Sequence, residues 1–322
     1  MKILLTGILG QDGANMAEYL LKNTDAKIYG VIRRTSNPNL VNCKSFINNP
    51  RVDLVYGDLC DSVSIPNLVQ EIKPDYFINF GAQSFVGCSW DIPLQTFDVN
   101  ATGVARCLEA IRQYHPKCRF YSAGSSEEFG DVVYSPQDEK HPFRPRSPYG
   151  ASKAAAHHIV KVYRESYNLY AVHGVLFNHE GTKRGPEFVT RKITRAVAKI
   201  AVGNKNKLYL GNMDAIRDWG FAKEYVESMW LMLQQDKPED FVIATGMQFT
   251  VREFILRSAK QLGITLAFEG AAEDEKAIVT RIEGDKAPAL KVGDVIVQID
   301  PRYYRPAEVE TLLGDPSKAK EK

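Results

Sequence analysis

Short apolar runs alternate with amphipathic segments through the first half of the chain. Runs that end in glycine or polar residues predict buried strands, and apolar residues three or four positions apart predict helices. The helical patterns cover Asn15–Lys22 and Val104–Tyr114. The predicted strands are Lys2–Thr6, Lys27–Ile32, Val52–Tyr56, Asp75–Phe80 and Cys118–Ser122. This alternation predicts an α/β fold, a Rossmann-type doubly wound parallel sheet whose strands end at one common edge.

The pattern loosens after about residue 180, where proline and glycine become denser. A charged, alanine-rich stretch at 270–291 is interpreted as a surface excursion, with a hairpin as one form of it. We predict a Rossmann domain over residues 1–180 and a smaller α+β substrate-binding domain over 181–322, with some chain crossing between them. The later predicted elements are the helices Thr190–Val202, Ala222–Gln235 and Val251–Leu262 and the strand Lys207–Leu210.

Composition and charge narrow the class of protein. Of 322 residues, 44% are apolar and 25% are charged, which is typical of a soluble globular protein. The net charge of +2 gives no indication of a nucleic-acid or membrane partner. No apolar run reaches the roughly 18 residues of a membrane helix. The five cysteines lack the CxxC spacing of a zinc site, so we expect no metal and a reduced, cytoplasmic setting.

The first predicted strand leads into a glycine-rich turn. Gly7, Gly10 and Gly13 have the spacing G-x-x-G-x-x-G, with Gln11 and Asp12 between the last two. Such glycines allow a tight turn, close approach of the backbone to a pyrophosphate, and close packing of helix on strand. The turn predicts a dinucleotide site; the alternative is a purely structural turn.

The end of the second strand distinguishes between cofactors. An NAD site usually has an acidic residue there, whereas this chain has Arg33, Arg34 and Thr35. Two guanidinium groups suit the 2′-phosphate of NADP, although a solvated basic turn is the alternative. We expect Asp58 and Leu59 to flank the adenine. We expect the segment after the fourth strand to follow the ribose: Ala82, Gln83 and Ser84.

A tyrosine and a lysine lie four residues apart at a predicted helix start. Tyr149 and Lys153 would share one helix face, and a nearby ammonium lowers a tyrosine pKa from its usual value of about 10. Tyr149 is therefore a candidate proton acceptor, and Ser125 or Ser126 can hydrogen-bond a substrate oxygen. Glu127 is either an active-site carboxylate for further proton chemistry or, like Glu128, a cap or a solvated charge.

Further motifs give the chain a family resemblance. They include Phe177–Glu180, Phe188–Ala196, Leu208–Asn212, Arg217–Gly220 and Asp300–Val309. With the glycine turn and the Tyr–Lys pair, the chain resembles the GDP-mannose 4,6-dehydratase family of the extended short-chain dehydrogenases/reductases. The resemblance implies that GDP-mannose loses water to give GDP-4-keto-6-deoxymannose. Tyr149 would take the 4-OH proton while NADP accepts the C4 hydride and returns it to C6, and Glu127 would move the C5 proton to the departing 6-OH.

The resemblance also carries over individual positions. Lys153 would orient the ribose, Ser125 would replace a threonine usual in the family, and His179 and Arg184 would contact the cofactor. The implied assembly is a homodimer or homotetramer. The implied positions for the GDP-sugar are Ser84, Ser125, Glu127, Asn178, Val189, Lys192, Arg217, Arg305 and Glu308.

Two other functions share these features. A GDP-4-keto-6-deoxyhexose reductase or a sugar-nucleotide epimerase would have the same cofactor fold and Tyr–Lys pair, but simple reduction needs no C5 base such as Glu127. A non-enzymatic NADP-binding sensor would not need Ser125, Tyr149 and Lys153 together.

Overall fold

The computed structural model describes residues 1–304, 307, 309 and 311–322. The strands within this part of the chain are β1 Lys2–Thr6, β2 Lys27–Ile32, β3 Val52–Tyr56, β4 Tyr76–Asn79, β5 Arg119–Ala123, β6 Ala171–Leu176, β7 Asn178–Glu180, β8 Leu208–Leu210, β9 Ile216–Arg217, β10 Trp219–Phe221, β11 Phe241–Ile243, β12 Phe249–Thr250, β13 Ile264–Glu269, β14 Lys276–Ile282 and β15 Val295–Ile299. The α-helices are α1 Gln11–Asn23, α2 Ser64–Ile72, α3 Pro93–Phe97, α4 Gly103–Tyr114, α5 Pro148–Tyr167, α6 Val189–Ala201, α7 Ala222–Gln234, α8 Val251–Lys260 and α9 Ser317–Glu321.

The chain folds into two compact units. Unit 1 contains residues 1–183, 218–247 and 312–322, and unit 2 contains residues 184–217 and 248–311. The chain therefore passes between the units four times. No helix in the described residues is both long enough and apolar enough to cross a membrane.

Unit 1 is built on a seven-stranded parallel sheet in the order β11-β6-β5-β4-β1-β2-β3. Its central strands β1, β4, β5 and β6 are largely buried, which explains why they are mostly apolar in the sequence, whereas the edge strand β3 is partly exposed. Two apolar clusters cover the sheet: α1 and α7 contribute to one, and α2, α4 and α5 to the other. The predicted α/β, Rossmann-type parallel sheet is confirmed.

The order of the strands locates the cleft. β1 lies between β4 and β2. The chain runs from β1 to β2 and β3 on one side and then returns to β4 on the other side of β1. In open parallel sheets, ligands bind beyond the carboxyl ends of the strands at such a reversal. The glycine turn after β1 lies at this position.

Unit 2 contains a four-stranded sheet in the order β13-β14-β15-β8 and a two-stranded pair, β9 and β12. The hairpin suggested for residues 270–291 is confirmed, because β13 and β14 pair antiparallel, but the stretch is not a surface excursion, since it supplies an inner strand to the sheet of unit 2. β14 lies between β13 and β15, pairs antiparallel with both, and buries Ala277 and Val279 completely. The pairing of β14 shifts register once against β13 and once against β15. These shifts interrupt the alternation of inward and outward side chains by which a strand is recognised in a sequence.

Candidate active site

The glycine turn has the geometry of a phosphate cradle. Gly7 adopts φ +69°, and its carbonyl accepts a hydrogen bond from the Gly10 N–H at 2.9 Å. A Cβ on Gly7 would lie 2.8 Å from the carbonyl carbon of Phe80, and one on Gly13 would lie 2.7 Å from the Ile8 Cα. Gly10 caps α1 with its backbone alone and is exposed, so the helix N-terminus is accessible to an anion.

The side chains after β2 and β3 lie in two environments. Arg33, Arg34 and Thr35 are exposed, and Arg34 Nη1 donates to the Thr35 carbonyl at 3.2 Å. Asp58 accepts a hydrogen bond from the Cys60 N–H at 2.9 Å. The Leu59 side chain belongs to an apolar cluster of the core. The guanidinium groups are thus placed to meet a phosphate, whereas the aliphatic residue packs internally.

The loop after β4 is fastened to α5 through a buried asparagine. Asn100 Oδ1 accepts from the Gln83 N–H at 2.9 Å, and Asn100 Nδ2 donates to the Gln83 carbonyl at 3.0 Å and to Ser152 Oγ at 3.1 Å. Gln83 Nε2 donates to Thr96 Oγ1 at 3.0 Å. The Gln83 side chain therefore shapes the loop, while Ala82 is half-buried and Ser84 is exposed.

A single turn of 3-10 helix, residues 126–128, carries the candidate carboxylate. Ser125 caps this turn: its Oγ accepts from the Glu127 N–H at 3.2 Å, and the Ser125 N–H donates to Glu128 Oε1 at 2.7 Å. Glu127 is partly exposed, whereas Ser126 and Glu128 are buried. Of the two readings for Glu128, the cap is confirmed and the solvated charge is wrong.

The Tyr–Lys pair lies in the first turns of α5, as the spacing predicts. Lys153 Nζ lies 5.8 Å from the centre of the Tyr149 ring and donates to the Ala123 carbonyl, at the end of β5, at 2.7 Å. Burial lowers the pKa of Lys153 to about 8, against the opposing effect of Glu128 and Asp12. The amine is therefore still mostly protonated at pH 7, next to the phenol.

A close backbone contact joins the carboxylate turn to this helix. A Cβ on Gly150 would lie 2.6 Å from the Glu127 carbonyl oxygen, so only glycine fits after Tyr149 at this separation. Ser147 caps α5 by accepting from the Gly150 N–H at 3.0 Å. Glu127 and Tyr149 are therefore held on adjoining pieces of backbone at the same sheet edge.

His179 connects β7 to the glycine turn. Its Nε2 lies 2.8 Å from Asp12 Oδ2, and its Nδ1 lies 2.8 Å from the Phe177 carbonyl oxygen. The ring stacks on Tyr225 with centroids 4.6 Å apart, and Gln11 Nε2 donates to the His179 carbonyl at 3.0 Å. Three predicted cofactor residues, Gln11, Asp12 and His179, thus form one hydrogen-bonded group at the start of α1.

Within unit 2, cations lie over aromatic rings. Arg184 lies 3.7 Å from the Phe188 ring centre, and Lys192 Nζ lies 3.4 Å from the Tyr303 ring centre. Burial and the charge of Lys205 lower the pKa of Lys192 to about 8, although Asp300 opposes the shift.

Two predicted sugar-nucleotide residues begin or end elements of this unit. Val189 begins α6, and Arg217 is buried at the end of β9, where Nη1 donates to the Ile216 carbonyl at 2.8 Å. Asn178 is half-buried on β7 of unit 1. The predicted residues Arg305 and Glu308 lie outside the described residues.

Sequence reasoning missed the buried polar residues that hold this site. Asn100 precedes the helical pattern Val104–Tyr114, and nothing adjacent to it in sequence reveals its partners. His173 lies inside the fully buried strand β6 and pairs with Glu128, 45 residues earlier, at 3.0 Å between Nε2 and Oε1. The one signal in the sequence is a histidine within the otherwise apolar segment Ala171–Leu176, because a buried histidine needs a hydrogen-bond partner.

Comparison with known proteins gives a consistent result. A family model described as GDP-mannose 4,6 dehydratase matches residues 4–322. A GDP-mannose 4,6-dehydratase of Vibrio cholerae is 57% identical over 100% of this chain and 88% of its own length. The human GDP-mannose 4,6 dehydratase is 47% identical over 99% of this chain and 85% of its own length.

Solved structures agree on the fold. A dTDP-glucose 4,6-dehydratase from Streptomyces venezuelae, with NAD and TYD bound, superimposes with a TM-score of 0.80 at 21% identity, covering 100% of this chain and 90% of the other. A UDP-glucose 4-epimerase from Thermotoga maritima, with UDP-glucose, gives a TM-score of 0.79 at 20% identity over 100% and 92% of the two chains. At these identities the likeness concerns the fold alone.

Proposed function

Because the chain belongs to the GDP-mannose 4,6-dehydratase family, we propose that it removes water from GDP-mannose to form GDP-4-keto-6-deoxymannose. The observation that carries this proposal is the turn that holds Glu127 beside Tyr149. A reductase needs a proton donor and a cofactor, whereas a dehydratase needs an additional base for the proton next to the ketone. Glu127, partly exposed and fixed by the Gly150 contact, supplies it.

We propose NADP as the cofactor. Arg33 and Arg34 are exposed at the end of β2 and can pair with a 2′-phosphate, while the α1 N-terminus and the glycine turn take the pyrophosphate. His179 holds Asp12 at the start of that helix, and Lys153 is available to a ribose hydroxyl. When bound, the nicotinamide accepts a hydride and later returns it.

Each catalytic residue has a defined task in this proposal. The Tyr149 phenolate, stabilised by the Lys153 ammonium, takes the proton from the sugar 4-OH and becomes the phenol. Ser125 Oγ donates a hydrogen bond to the oxygen at C4, since its lone pair already accepts from the Glu127 N–H. The Glu127 carboxylate takes the C5 proton and protonates the leaving hydroxyl at C6; when the hydride returns to C6, a proton is added at C5.

We propose that residues of unit 2 hold the GDP portion. Lys192 and Arg217 carry positive charge suited to the diphosphate, and the short contact of Lys192 with Tyr303 directs the ammonium. Asn178 and Val189 belong to the same proposed set, whereas Arg184 is proposed to contact the cofactor. Arg305 and Glu308 remain predictions from the sequence.

We further propose a cytoplasmic homodimer or homotetramer. The exposed side chains Tyr114 on α4 and Val162 and Tyr167 on α5 support a helical interface. Five free cysteines are consistent with a reducing compartment. A monomer by light scattering at micromolar concentration would contradict the oligomer.

The decisive test of function is the mass of the product. The protein is incubated with GDP-mannose and sub-stoichiometric NADP⁺. We expect many turnovers of a product lighter by one water, without accumulation of NADPH. In a parallel incubation with NADPH and a GDP-4-keto-6-deoxyhexose, stoichiometric consumption of NADPH without dehydration of GDP-mannose would identify a reductase instead. A product of unchanged mass and inverted stereochemistry from GDP-mannose would identify an epimerase.

The cofactor proposal has its own test. Replacing both arginines, as Arg33→Ser with Arg34→Ser, should weaken NADPH binding by roughly 10- to 100-fold, as expected for the loss of charge-assisted hydrogen bonds. NADH binding, measured by the same fluorescence titration, should change little. Equal losses for the two cofactors would show that these residues do not read the 2′-phosphate.

A further inference from the structure

A second group of ligating side chains lies behind the carboxylate turn. Glu128 on that turn, His157 on α5 and His173 on β6 each offer one ligand atom, and these atoms all lie within 4.8 Å of one another. All three residues belong to unit 1. Glu128 and His173 are completely buried, and the His157 side chain is 13% exposed.

The polar atoms of this cluster are incompletely paired. Among the described residues, Glu128 Oε2, His157 Nδ1 and His173 Nδ1 are buried without a hydrogen-bond partner. Buried polar atoms are ordinarily satisfied, and two of these, Glu128 Oε2 and His157 Nδ1, lie near each other, which points to a missing ligand between them. The three side chains of the cluster, two imidazoles and a carboxylate, are ligands that zinc takes in many proteins.

The separations suit a divalent ion. Glu128 Oε2 and His157 Nδ1 are 3.9 Å apart, somewhat more than the separation of about 3.3 Å between two ligand atoms of a tetrahedral ion with bonds of about 2 Å, so a small side-chain movement brings both onto one ion. The third ligand, His173, has its Nε2 3.0 Å from the other oxygen of the same carboxylate. Because each ligand comes from a different element, the backbone fixes their arrangement.

Residues next to the cluster support the histidine ligands of an ion, and a surface cavity beside His157 is open to solvent. Asp240 Oδ2 lies 3.6 Å from His157 Nε2, the ring nitrogen that does not face Glu128; this is just beyond hydrogen-bond distance, on the side where carboxylates support metal-bound histidines. Arg164 fixes Asp240 with two hydrogen bonds of 2.7 Å. A surface cavity of about 270 Å³ is lined by His157 and Asp240 and gives an ion access from solvent.

We propose that Glu128, His157 and His173 form a binding site for one divalent transition-metal ion, of which Zn²⁺ is the best match. The site does not depend on the proposed reaction. An ion there would hold the carboxylate that accepts the Ser125 N–H, and would therefore stiffen the turn that carries Ser125 and Glu127. The wide separation of the ligands in sequence explains why their spacing does not match a zinc motif.

The test is metal binding by the tag-free, full-length protein after treatment with a chelator. Equilibrium dialysis against Zn²⁺ should give one ion per chain. His157→Asn should weaken this binding at least tenfold, since one of three ligands is lost. His158→Asn is the matched control, because His158 is the neighbouring residue on the same helix and is exposed. Failure of the wild-type chain to bind one ion, or equal binding by His157→Asn, would overturn the proposal.

A spectroscopic measurement keeps the test independent of Zn²⁺ bound elsewhere. Co²⁺ in a site of nitrogen and oxygen ligands with low coordination number absorbs visible light far more strongly than hydrated Co²⁺. We expect this absorption in the wild type and in His158→Asn, and its loss in His157→Asn. Glu128→Gln, which keeps the side-chain shape, should also weaken binding if His157→Asn fails to fold. Unaltered spectra in the folded variants would reject these ligands.

Discussion

The two units hold their candidate ligand groups by different means. In unit 1, Lys153, Asn100 and Glu128 are buried and hydrogen-bonded to backbone atoms at 2.7 to 3.0 Å. In unit 2, Arg184 and Lys192 lie over aromatic rings. Hydrogen bonds are directional, whereas a cation over a ring has an attractive region several ångströms wide.

This difference suits different tasks. Proton transfer requires groups within hydrogen-bond distance of the reacting atoms, so small displacements of a base are costly. Electrostatic binding of a diphosphate tolerates displacement, because the attraction between charges falls off gradually with distance. We therefore expect changes in unit 1 to lower the rate of the chemical step and changes in unit 2 to weaken substrate binding.

The largest effect should come from Glu127→Gln. The amide keeps the size of the side chain but cannot take the C5 proton, so kcat should fall by about 10²- to 10⁴-fold. GDP-mannose binding should stay near the wild-type value by calorimetry. The control is Glu165→Gln, an exposed carboxylate on α5, which should retain full activity. A nearly normal rate for Glu127→Gln would remove this residue from the mechanism.

Gly13→Ala should have the next largest effect. Its Cβ would lie 2.7 Å from the Ile8 Cα, so the turn must open and the pyrophosphate site is distorted. NADPH affinity, measured by fluorescence, should fall by roughly 100-fold or more, and the melting temperature should also fall. Gly10→Ala should be milder, because the shortest contact of its Cβ would be 3.2 Å. The reverse order of severity would contradict the close-packing argument.

A smaller effect is expected in unit 2. Lys192→Ala removes a charge that binds substrate equally before and during reaction, so KM for GDP-mannose should rise about tenfold while kcat changes little. Lys199→Ala, an exposed lysine on the same helix, is the matched control. A fall in kcat comparable to that of Glu127→Gln would remove the distinction between the units.

The smallest effect concerns stability and pH. The pKa of Lys153 is about 8 in the folded chain, mainly through burial, and about 10.4 when unfolded. Between these values the unfolded chain binds more protons, so the contribution of Lys153 to stability rises with pH. Lys153→Met should therefore stabilise the protein more at pH 7 than at pH 10, as measured by urea denaturation. An equal gain at both values would argue against the depressed pKa.

The sequence predicted the strands of unit 1 more accurately than those of unit 2. Strands such as Lys2–Thr6 and Val52–Tyr56 agree with the prediction to the residue, because each is a short apolar-rich run followed by glycine, although the fully buried β6 was not predicted. β14 was missed because it contains charged and alanine residues and its pairing is irregular. One helix start was less accurate: α1 begins at Gln11 rather than Asn15, since glycine and polar residues hide its first turn, whereas α7 and α8 begin at the predicted Ala222 and Val251.

The candidate site divides in the same way. Tyr149, Lys153 and the glycine turn were predictable because their function depends on short spacings along the chain. The pairing of Glu128 with His173 and the bonds from Asn100 to Gln83 and Ser152 were not, because they join residues far apart in sequence. Such partners become visible only when the fold brings them together.

The four crossings of the chain between its units affect how such a protein can be rearranged during evolution. Unit 2 comes from two separate stretches of the chain. A single genetic exchange within residues 184–311 therefore produces a unit 2 that combines sequence from two parents. Replacing it intact requires two coordinated insertions. Substrate preference in this architecture is therefore expected to change by point substitution more readily than by exchange of a module.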